Sequence, residues 1–323
     1  MLKSIQLNLL KIKYSGDSIG DDIRVEIGAL GKFLRIDKRI KIGTVVEINR
    51  EIGRFETDQK VFKSSVQIVV VEKDLLFDDV GSVEGEIKVD TTSKNPQKFY
   101  FKVKIKETRS ILGKIWGNKT AIFEIILEAK VSDAIKYTPN EGDGWLLVKI
   151  GDKEIIESLP PYLKVKIDRK DNEREYFTIL EGTYRGKTAS VELRENGSSR
   201  FISGVTQTST AYAEYSISKK IFTFAGKKYK ATDHPKTPWT KGLYDIEIPG
   251  SPQGYGEPYL DRARLAKVWF RIGHDGGRFL HPGSVSLGCM TIIEVEKWDK
   301  LCETLLKARK GDFMSVGIVK VVD

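Results

Sequence analysis

The feature that most restricts the fold of this chain is an alternation of apolar and polar residues with a period of two along its first 135 residues. Such runs, bounded by turn residues, are typical of half-buried β-strands. No long helical pattern interrupts them, so we predict an antiparallel β-sandwich. The predicted strands are 4–14, 23–28, 44–49, 61–72, 84–90, 98–106 and 121–131.

The length of 323 residues exceeds what one ordinary core can bury, so we expect two or three domains. No apolar run approaches the roughly 18 residues of a membrane span, and residues 1–10 alternate like a strand without the pattern of a signal peptide. A second all-β stretch in the middle resembles a small SH3-like barrel or an early part of the last domain. The predicted division is 1–135, a linker at 136–145, a small β module at 146–215, and a last domain at 216–323.

The net charge of +9 favours acidic partners. Lysines are scattered through strand-like segments, which is the usual pattern of solvated strand faces; the alternative is attraction to an anionic envelope polymer or a membrane surface. We find no RNA-binding aromatic motif, zinc-finger spacing or basic helix, so we expect no nucleic-acid partner. The lysines concerned are Lys102, Lys104, Lys106, Lys219, Lys220, Lys227, Lys228 and Lys230.

The two cysteines differ in their surroundings and do not make a disulfide framework. Cys302 lies on an apolar stripe with helical spacing, which predicts a core residue. Cys289 lies in a Gly-rich loop that follows a strand-like alternation ending near Ile272 and precedes a helical pattern at about 294–309. The same loop holds His274 and His281, two of the three histidines.

A cysteine acts as a nucleophile only as the thiolate, so it needs a neighbouring base or backbone N–H groups. Gly288 lets the backbone approach a substrate closely, and the amides around Cys289 can donate to an oxyanion. His274, at the exit of a strand, and His281, eight residues before Cys289, are rival candidates for the base. A structural loop without catalysis is the alternative.

Two acidic loops stand out in the first domain, and with their positions this domain resembles a C2 domain. The resemblance implies that five carboxylates line one end of the sandwich, where only a hard cation such as Ca²⁺ would relieve their repulsion. Solvated turns are the alternative. Glu72 stands where aspartate is usual, and Ile23-Arg24 replaces the common Pro-Tyr. The implied ligands are Asp17, Asp22, Glu72, Asp74 and Asp79.

The last third of the chain resembles the L,D-transpeptidase catalytic domain. The likeness rests on Thr237-Pro238 followed by Gly242, then a strand ending in His274, then the set Ser286-x-Gly288-Cys289, a helix and a final strand. It implies a mostly β domain whose cysteine attacks a carbonyl of peptidoglycan stem peptides and forms a thioester. It makes Cys289 the nucleophile, His274 the base, Ser286 a support of the histidine or the loop, and Gly288 part of the oxyanion site, with no cofactor.

This sequence departs from the family pattern in three places. The interval between His274 and Cys289 is short, which leaves room for His281 as the base. Leu287 replaces a frequent second histidine, and Thr291 stands where many members have arginine or asparagine. Arg271 or Arg278 can supply the missing positive charge for a stem carboxylate. Tyr255 and Tyr259 can line the donor groove. For all four residues, a solvated surface position is the alternative.

We therefore expect a cysteine-dependent enzyme that cross-links or trims peptidoglycan stems in the bacterial envelope, in the periplasm or cell wall. Because no signal peptide is recognisable, the sequence is as consistent with a secretion-system effector or a phage-borne protein as with a housekeeping enzyme. The second hypothesis is an inactive envelope-binding or assembly protein with a C2-like targeting module. A papain-like peptidase fits less well, because its cysteine precedes its histidine.

Overall fold

A computed structural model describes residues 1–73, 79–106 and 119–323. The protein is mainly β, as predicted, and contains several largely antiparallel sheets with a short helix late in the chain. It divides into two compact units, Met1–Ala134 and Ile135–Asp323. No helix in the described ranges is long and apolar enough to cross a membrane.

The first unit is built from two four-stranded sheets. Its strands are β1 (Lys3–Gly16), β2 (Asp22–Ala29), β3 (Lys32–Arg39), β4 (Val45–Thr57), β5 (Val61–Glu72), β6 (Asp79–Asp90), β7 (Gln97–Lys106) and β8 (Thr120–Asp133). One sheet has the order β4-β1-β8-β7 and the other β3-β2-β5-β6, and every pairing is antiparallel.

Alternating side chains from both sheets form one apolar core, as the period of two predicts. Ile5 of β1, Val25 of β2, Val66 of β5 and Phe123 of β8 are among its members and are 1% exposed or less. The sequence did not predict β3. Only Leu34 and Ile36 of that strand are buried, and its other positions are mostly charged and exposed.

The second unit begins with a six-stranded antiparallel sheet of order β11-β10-β14-β13-β12-β9. Strand β9 of this sheet crosses the predicted boundary between 135 and 136 into the stretch predicted as a linker, and it pairs with β12. A buried ion pair between Arg309 and Glu181, 2.6 Å apart, links this sheet region to the end of the chain. The strands are β9 (Ile135–Tyr137), β10 (Leu146–Ile150), β11 (Ile155–Leu159), β12 (Lys164–Lys170), β13 (Arg174–Ile179) and β14 (Thr188–Glu192).

An eight-stranded mixed sheet follows, of order β18-β22-β15-β16-β17-β21-β20-β19. Its first strand, β15, spans the predicted boundary between 215 and 216. Helix α1 (Trp298–Leu306) is shorter than the predicted 294–309, and it buries Cys302 completely, as expected. The strands are β15 (Ala211–Ser216), β16 (Ile221–Phe224), β17 (Lys227–Thr232), β18 (Gly242–Glu247), β19 (Phe270–Arg271), β20 (Phe279–Pro282), β21 (Met290–Ile292) and β22 (Ser315–Val322).

A short 3-10 turn, Gly254–Tyr259, packs so closely on the chain that Gly256 has no room for a side chain. A Cβ there would lie 2.2 Å from the carbonyl oxygen of Ala266, whereas a Cβ on Gly254 would meet nothing within 4 Å. We expect Gly256→Ala to reduce the free energy of unfolding by about 1–3 kcal/mol, as overpacking does. Gly254→Ala is the matched control, and thermal unfolding is the measurement. Equal melting temperatures for the two variants would contradict the packing.

Candidate active site

Three short strands, β19, β20 and β21, position the candidate catalytic residues of the second unit. In the antiparallel pair β19–β20, Phe270 lies opposite Leu280, so the preceding Trp269 lies opposite His281. In the parallel pair β20–β21, His281 lies opposite Thr291. Trp269, directly before β19, therefore lies in one row with His281 of β20 and Thr291 of β21.

The imidazole of His281 is held by contacts on three sides. Its ring stacks on Trp269 with centroids 4.0 Å apart, Nδ1 lies 2.9 Å from the carbonyl oxygen of Pro282, and Nε2 lies 3.0 Å from the hydroxyl of Thr291. A carbonyl can only accept, so Nδ1 carries the proton and Nε2 accepts from Thr291. Burial lowers the pKa of His281 to about 4, although the bond to Pro282 acts to raise it. The ring is therefore neutral at pH 7.

Cys289 precedes β21 and is half-buried. Continued by two residues, the β20–β21 register brings Cys289 opposite Phe279, which is two residues before His281. Burial raises the pKa of the Cys289 thiol above its usual value, while the amide of Phe279, 3.3 Å from Sγ, and the charge of Arg278 act to lower it.

Cys289 and His281 line the same pocket, which has a volume of about 520 Å³. Aromatic and aliphatic side chains dominate its lining. Tyr255, Val285 and Leu287 are 82%, 70% and 89% exposed, so the rim is apolar as well as the floor. The lining also includes Gln253, Pro258, Tyr259, Trp269, Gly277, Phe279, Pro282 and Gly283.

The loop before Cys289 is shaped by Ser286. Its Oγ donates to the carbonyl oxygen of Cys289 at 2.8 Å and accepts from the amide of Gly288 at 3.2 Å. Ser286 thus supports the loop rather than a histidine. The Gly288 amide therefore already donates a hydrogen bond within the loop. Of the two amides proposed for an oxyanion site, that of Cys289 is the remaining candidate. Gly288 has a φ of +119°, which a side chain would strain.

Tyr259 lines the pocket and is itself fixed by hydrogen bonds. Its hydroxyl lies 2.9 Å from Oγ of Ser284 and accepts from the Ser284 amide at 3.1 Å. These bonds lower the pKa of Tyr259. Tyr255 and Tyr259, predicted to line a donor groove, both line this pocket.

His274 belongs to a different cluster. Its Nε2 donates to Asp245 at 2.7 Å, and its Nδ1 lies 3.5 Å from Glu247. Lys310 also binds Asp245 at 2.7 Å. Burial acts to raise the pKa of Asp245, yet the bonds from Lys310 and His274 outweigh it and lower that pKa. His274 is exposed and is not among the residues that line the pocket of Cys289.

The two arginines that the sequence singled out differ in their partners. Arg271 forms a bidentate ion pair with Glu247, with its shortest contact at 2.8 Å, so its charge is compensated. Arg278 stacks on Trp239 and lies against Gly288, next to the candidate nucleophile.

The carboxylates of the C2-like acidic loops are only partly described. Asp74 lies outside the described residues. Asp17 accepts a bond from the amide of Thr120 at 2.8 Å, Glu72 is 4% exposed beside Gly20, and Asp79 lies opposite Glu72 in the β5–β6 pair. Within the described ranges, no three His, Cys, Asp or Glu side chains are arranged to hold a metal. Calcium binding, including that by Asp22, stays a prediction.

Sequence reasoning did not give a role to Trp269, Phe279 or Asp245. The sequence feature that could have indicated Trp269 and Phe279 is the alternation within residues 269–281. Once the strands are known, it places both residues on the same face as His281. No local pattern connects Asp245 with His274, because they are 29 residues apart. Thr291, which stands where many members of the transpeptidase family have arginine or asparagine, is fully buried, and its hydroxyl lies 3.0 Å from Nε2 of His281.

The sequence matches no protein-family model, and a comparison with curated proteins finds no relative. Solved structures with some likeness include the first C2 domain of plant extended synaptotagmin 1, with 9% identity over 40% of this chain and 93% of that one and a TM-score of 0.23. The two C2 domains of extended synaptotagmin 2, with calcium bound, match with 8% identity over 54% and 76% and a TM-score of 0.22. Human GIVD cytosolic phospholipase A2 matches with 11% identity over 60% and 31% and a TM-score of 0.23.

These likenesses include C2 domains, the class that the first unit resembles in sequence, but the overlap is too low to indicate a function for this chain. The L,D-transpeptidase resemblance rests on the sequence of the last third alone.

Proposed function

We propose that the second unit is a cysteine acyltransferase or peptidase that acts on peptidoglycan stem peptides, with Cys289 as the nucleophile and His281 as its base. The observation that carries the proposal is that Cys289 and His281 line one pocket. His274, the base by motif position, is bound to Asp245 and does not line that pocket.

The resting site holds a neutral thiol and a neutral imidazole, because burial raises the pKa of Cys289 and lowers that of His281. The thiol proton therefore moves when a substrate is bound rather than beforehand. Nε2 of His281 can accept the thiol proton once its hydrogen bond with the Thr291 hydroxyl is broken. Apo geometry of this kind commonly tightens in the substrate complex.

The reaction follows from these roles. Sγ of Cys289 bonds to the substrate carbonyl carbon as its proton passes to His281. The C–N bond then breaks, and His281 returns the proton to the departing amine, which leaves a thioester. An acceptor amine or a water molecule displaces Cys289 and restores the thiol. The amide of Phe279 donates a hydrogen bond to Sγ of Cys289, and the aromatic side chains that line the pocket exclude water.

The proposal is tested by incubating the protein with a disaccharide tetrapeptide, alone and with an acceptor stem, and separating the products. Tripeptide alone indicates hydrolysis, whereas cross-linked dimer indicates transfer. Unchanged substrate in both mixtures would overturn the proposed function. The site of action implied by this substrate is the bacterial envelope.

A second candidate function, binding to an anionic surface, is favoured by one observation in the first unit. Strand β7 lies at the edge of its sheet and exposes every second residue over most of its length. Four of these exposed residues are lysines, and a fifth, Tyr100, is 63% exposed. A row of cations around an exposed aromatic suits a lipid headgroup surface. The lysines are Lys98, Lys102, Lys104 and Lys106.

Replacing the four β7 lysines by glutamine should weaken binding to vesicles that contain phosphatidylserine by at least tenfold, since each lysine near an anionic leaflet contributes about 1 kcal/mol. The matched control replaces four exposed lysines of the second unit by glutamine, which removes the same charge. Sedimentation at low and high salt is the measurement. An equal loss in both variants would show that net charge alone drives binding. The control lysines are Lys219, Lys227, Lys228 and Lys230.

A further inference from the structure

The pocket of Cys289 is lined without charge. Within the described ranges its lining contains no aspartate, glutamate, lysine or arginine, although such residues make up 31% of the chain. Its histidine, His281, is neutral at pH 7 because burial lowers its pKa to about 4. A charged group that entered would lose its hydration without gaining an opposite charge. The part of a bound molecule that fills this pocket is therefore uncharged.

Three polar side chains of the lining already have hydrogen-bond partners within the protein. The hydroxyl of Tyr259 is bound to Ser284 at 2.9 Å, and Nε2 of Gln253 donates to Ser251 at 3.3 Å. Both ring nitrogens of His281 are also engaged. A polar ligand group would have to break these bonds, whereas an apolar group gains by leaving water. The pocket therefore favours apolar occupants.

The apolar surface continues from the nucleophile to the opening of the pocket. Trp269 is buried at the floor, and Cys289 is half-buried. Tyr255, Val285 and Leu287 are largely exposed at the rim, and large apolar side chains that gather in this way mark binding sites. The volume of about 520 Å³ is in the range of small-molecule sites. An aliphatic chain on the carbonyl that Cys289 attacks can therefore stay in apolar contact as far as the rim.

We propose that this pocket binds an aliphatic acyl chain and that Cys289 takes up the acyl group from an ester or thioester. The inference rests on the roles that the proposed function gives to Cys289 and His281, and it adds a second class of acyl donor. Tyr255, Val285 and Leu287 determine the preference for the chain and do not exchange a proton.

The reaction with an ester uses the same two groups. Sγ of Cys289 bonds to the ester carbonyl carbon as its proton passes to His281. The C–O bond then breaks, and His281 returns the proton to the oxygen of the departing alcohol, which leaves an acyl thioester. Water displaces the sulfur, releases the carboxylic acid and restores the thiol. The ester and water are the only reactants.

The test measures kcat/KM for the 4-nitrophenyl esters of acetate, butyrate and hexanoate from the release of 4-nitrophenol. Each value is divided by the rate of the same ester with N-acetylcysteine, which removes differences in intrinsic reactivity. The corrected value should rise about fourfold for each methylene, because burial of a methylene contributes about 0.8 kcal/mol. Cys289→Ala should abolish the reaction.

The rim is tested by replacing Val285 and Leu287 together by serine. Both side chains are exposed, so the variant should fold, and its preference for hexanoate over acetate should fall by at least about fivefold as apolar contacts are lost. The matched control replaces Leu147 and Leu243 by serine. These residues are 66% and 71% exposed and do not line the pocket, so the preference should equal that of the wild type.

Equal corrected values for acetate and hexanoate in the wild type would overturn the proposal, as would a preference that the rim variant retains in full. If the esters show the preference but a disaccharide tetrapeptide stays unchanged, the acyl-chain site stands and the proposed action on peptidoglycan fails. If the tetrapeptide reacts but the corrected ester values do not depend on chain length, the proposed function stands and the acyl-chain site falls.

Discussion

Cys289→Ala is expected to reduce turnover of peptidoglycan stems by at least about 10⁴-fold, as loss of a covalent nucleophile does in comparable enzymes. The thiol accepts a hydrogen bond from the amide of Phe279 at 3.3 Å, and the side chain is half-buried. Its removal therefore changes the chemistry far more than the packing. Turnover is measured from the release of tripeptide or dimer.

The control is Cys302→Ala, which removes the other thiol. Cys302 is fully buried in α1, so this variant should lose stability but keep its turnover per folded molecule. Thermal unfolding of both variants separates the two effects. If Cys289→Ala retained turnover, the nucleophile would have to be sought elsewhere.

His281→Gln is expected to lower kcat by about 10²–10⁴-fold, the usual contribution of a general base. Glutamine can keep hydrogen bonds to Pro282 and Thr291, so the loop should stay folded. His274→Gln is the matched control. Because His274 is bound to Asp245 outside the pocket, it should leave kcat near that of the wild type.

The pH dependence gives an independent test of the same assignment. Burial lowers the pKa of His281 to about 4, so the neutral base is present at higher pH and is lost only as the pH falls through that value. The acidic limb of kcat/KM should therefore lie near pH 4–5. A limb near 6.5, the ordinary value for histidine, or a large loss in His274→Gln, would contradict His281 as the base.

The alternation in the sequence predicted the β class because side chains on one face of a strand must be buried together. It did not predict β3, in which charged residues cover all but two positions. The late helix and the burial of Cys302 followed from helical spacing. In each of these cases the signal is local, so a single segment contains it.

The arrangement of the site could be read only in part. The glycine-rich loop was predicted to carry the chemistry, but it contains the strands β20 and β21, whose parallel register places His281 beside Thr291. A register between strands depends on the whole sheet, so the sequence left His274 and His281 as rivals. The stacking of Trp269 on His281 and the binding of His274 to Asp245 arise in the same way.

The measurement that tests the central claim most directly is the intact mass of the protein during incubation with a disaccharide tetrapeptide. We expect a transient adduct with the mass of the substrate less its terminal amino acid, located at Cys289 by peptide mapping and absent from Cys289→Ala. Its decay should give tripeptide in water and dimer with an acceptor stem. An unmodified Cys289 under these conditions, with the substrate unchanged, would contradict the enzyme and leave the second candidate, binding to an anionic surface.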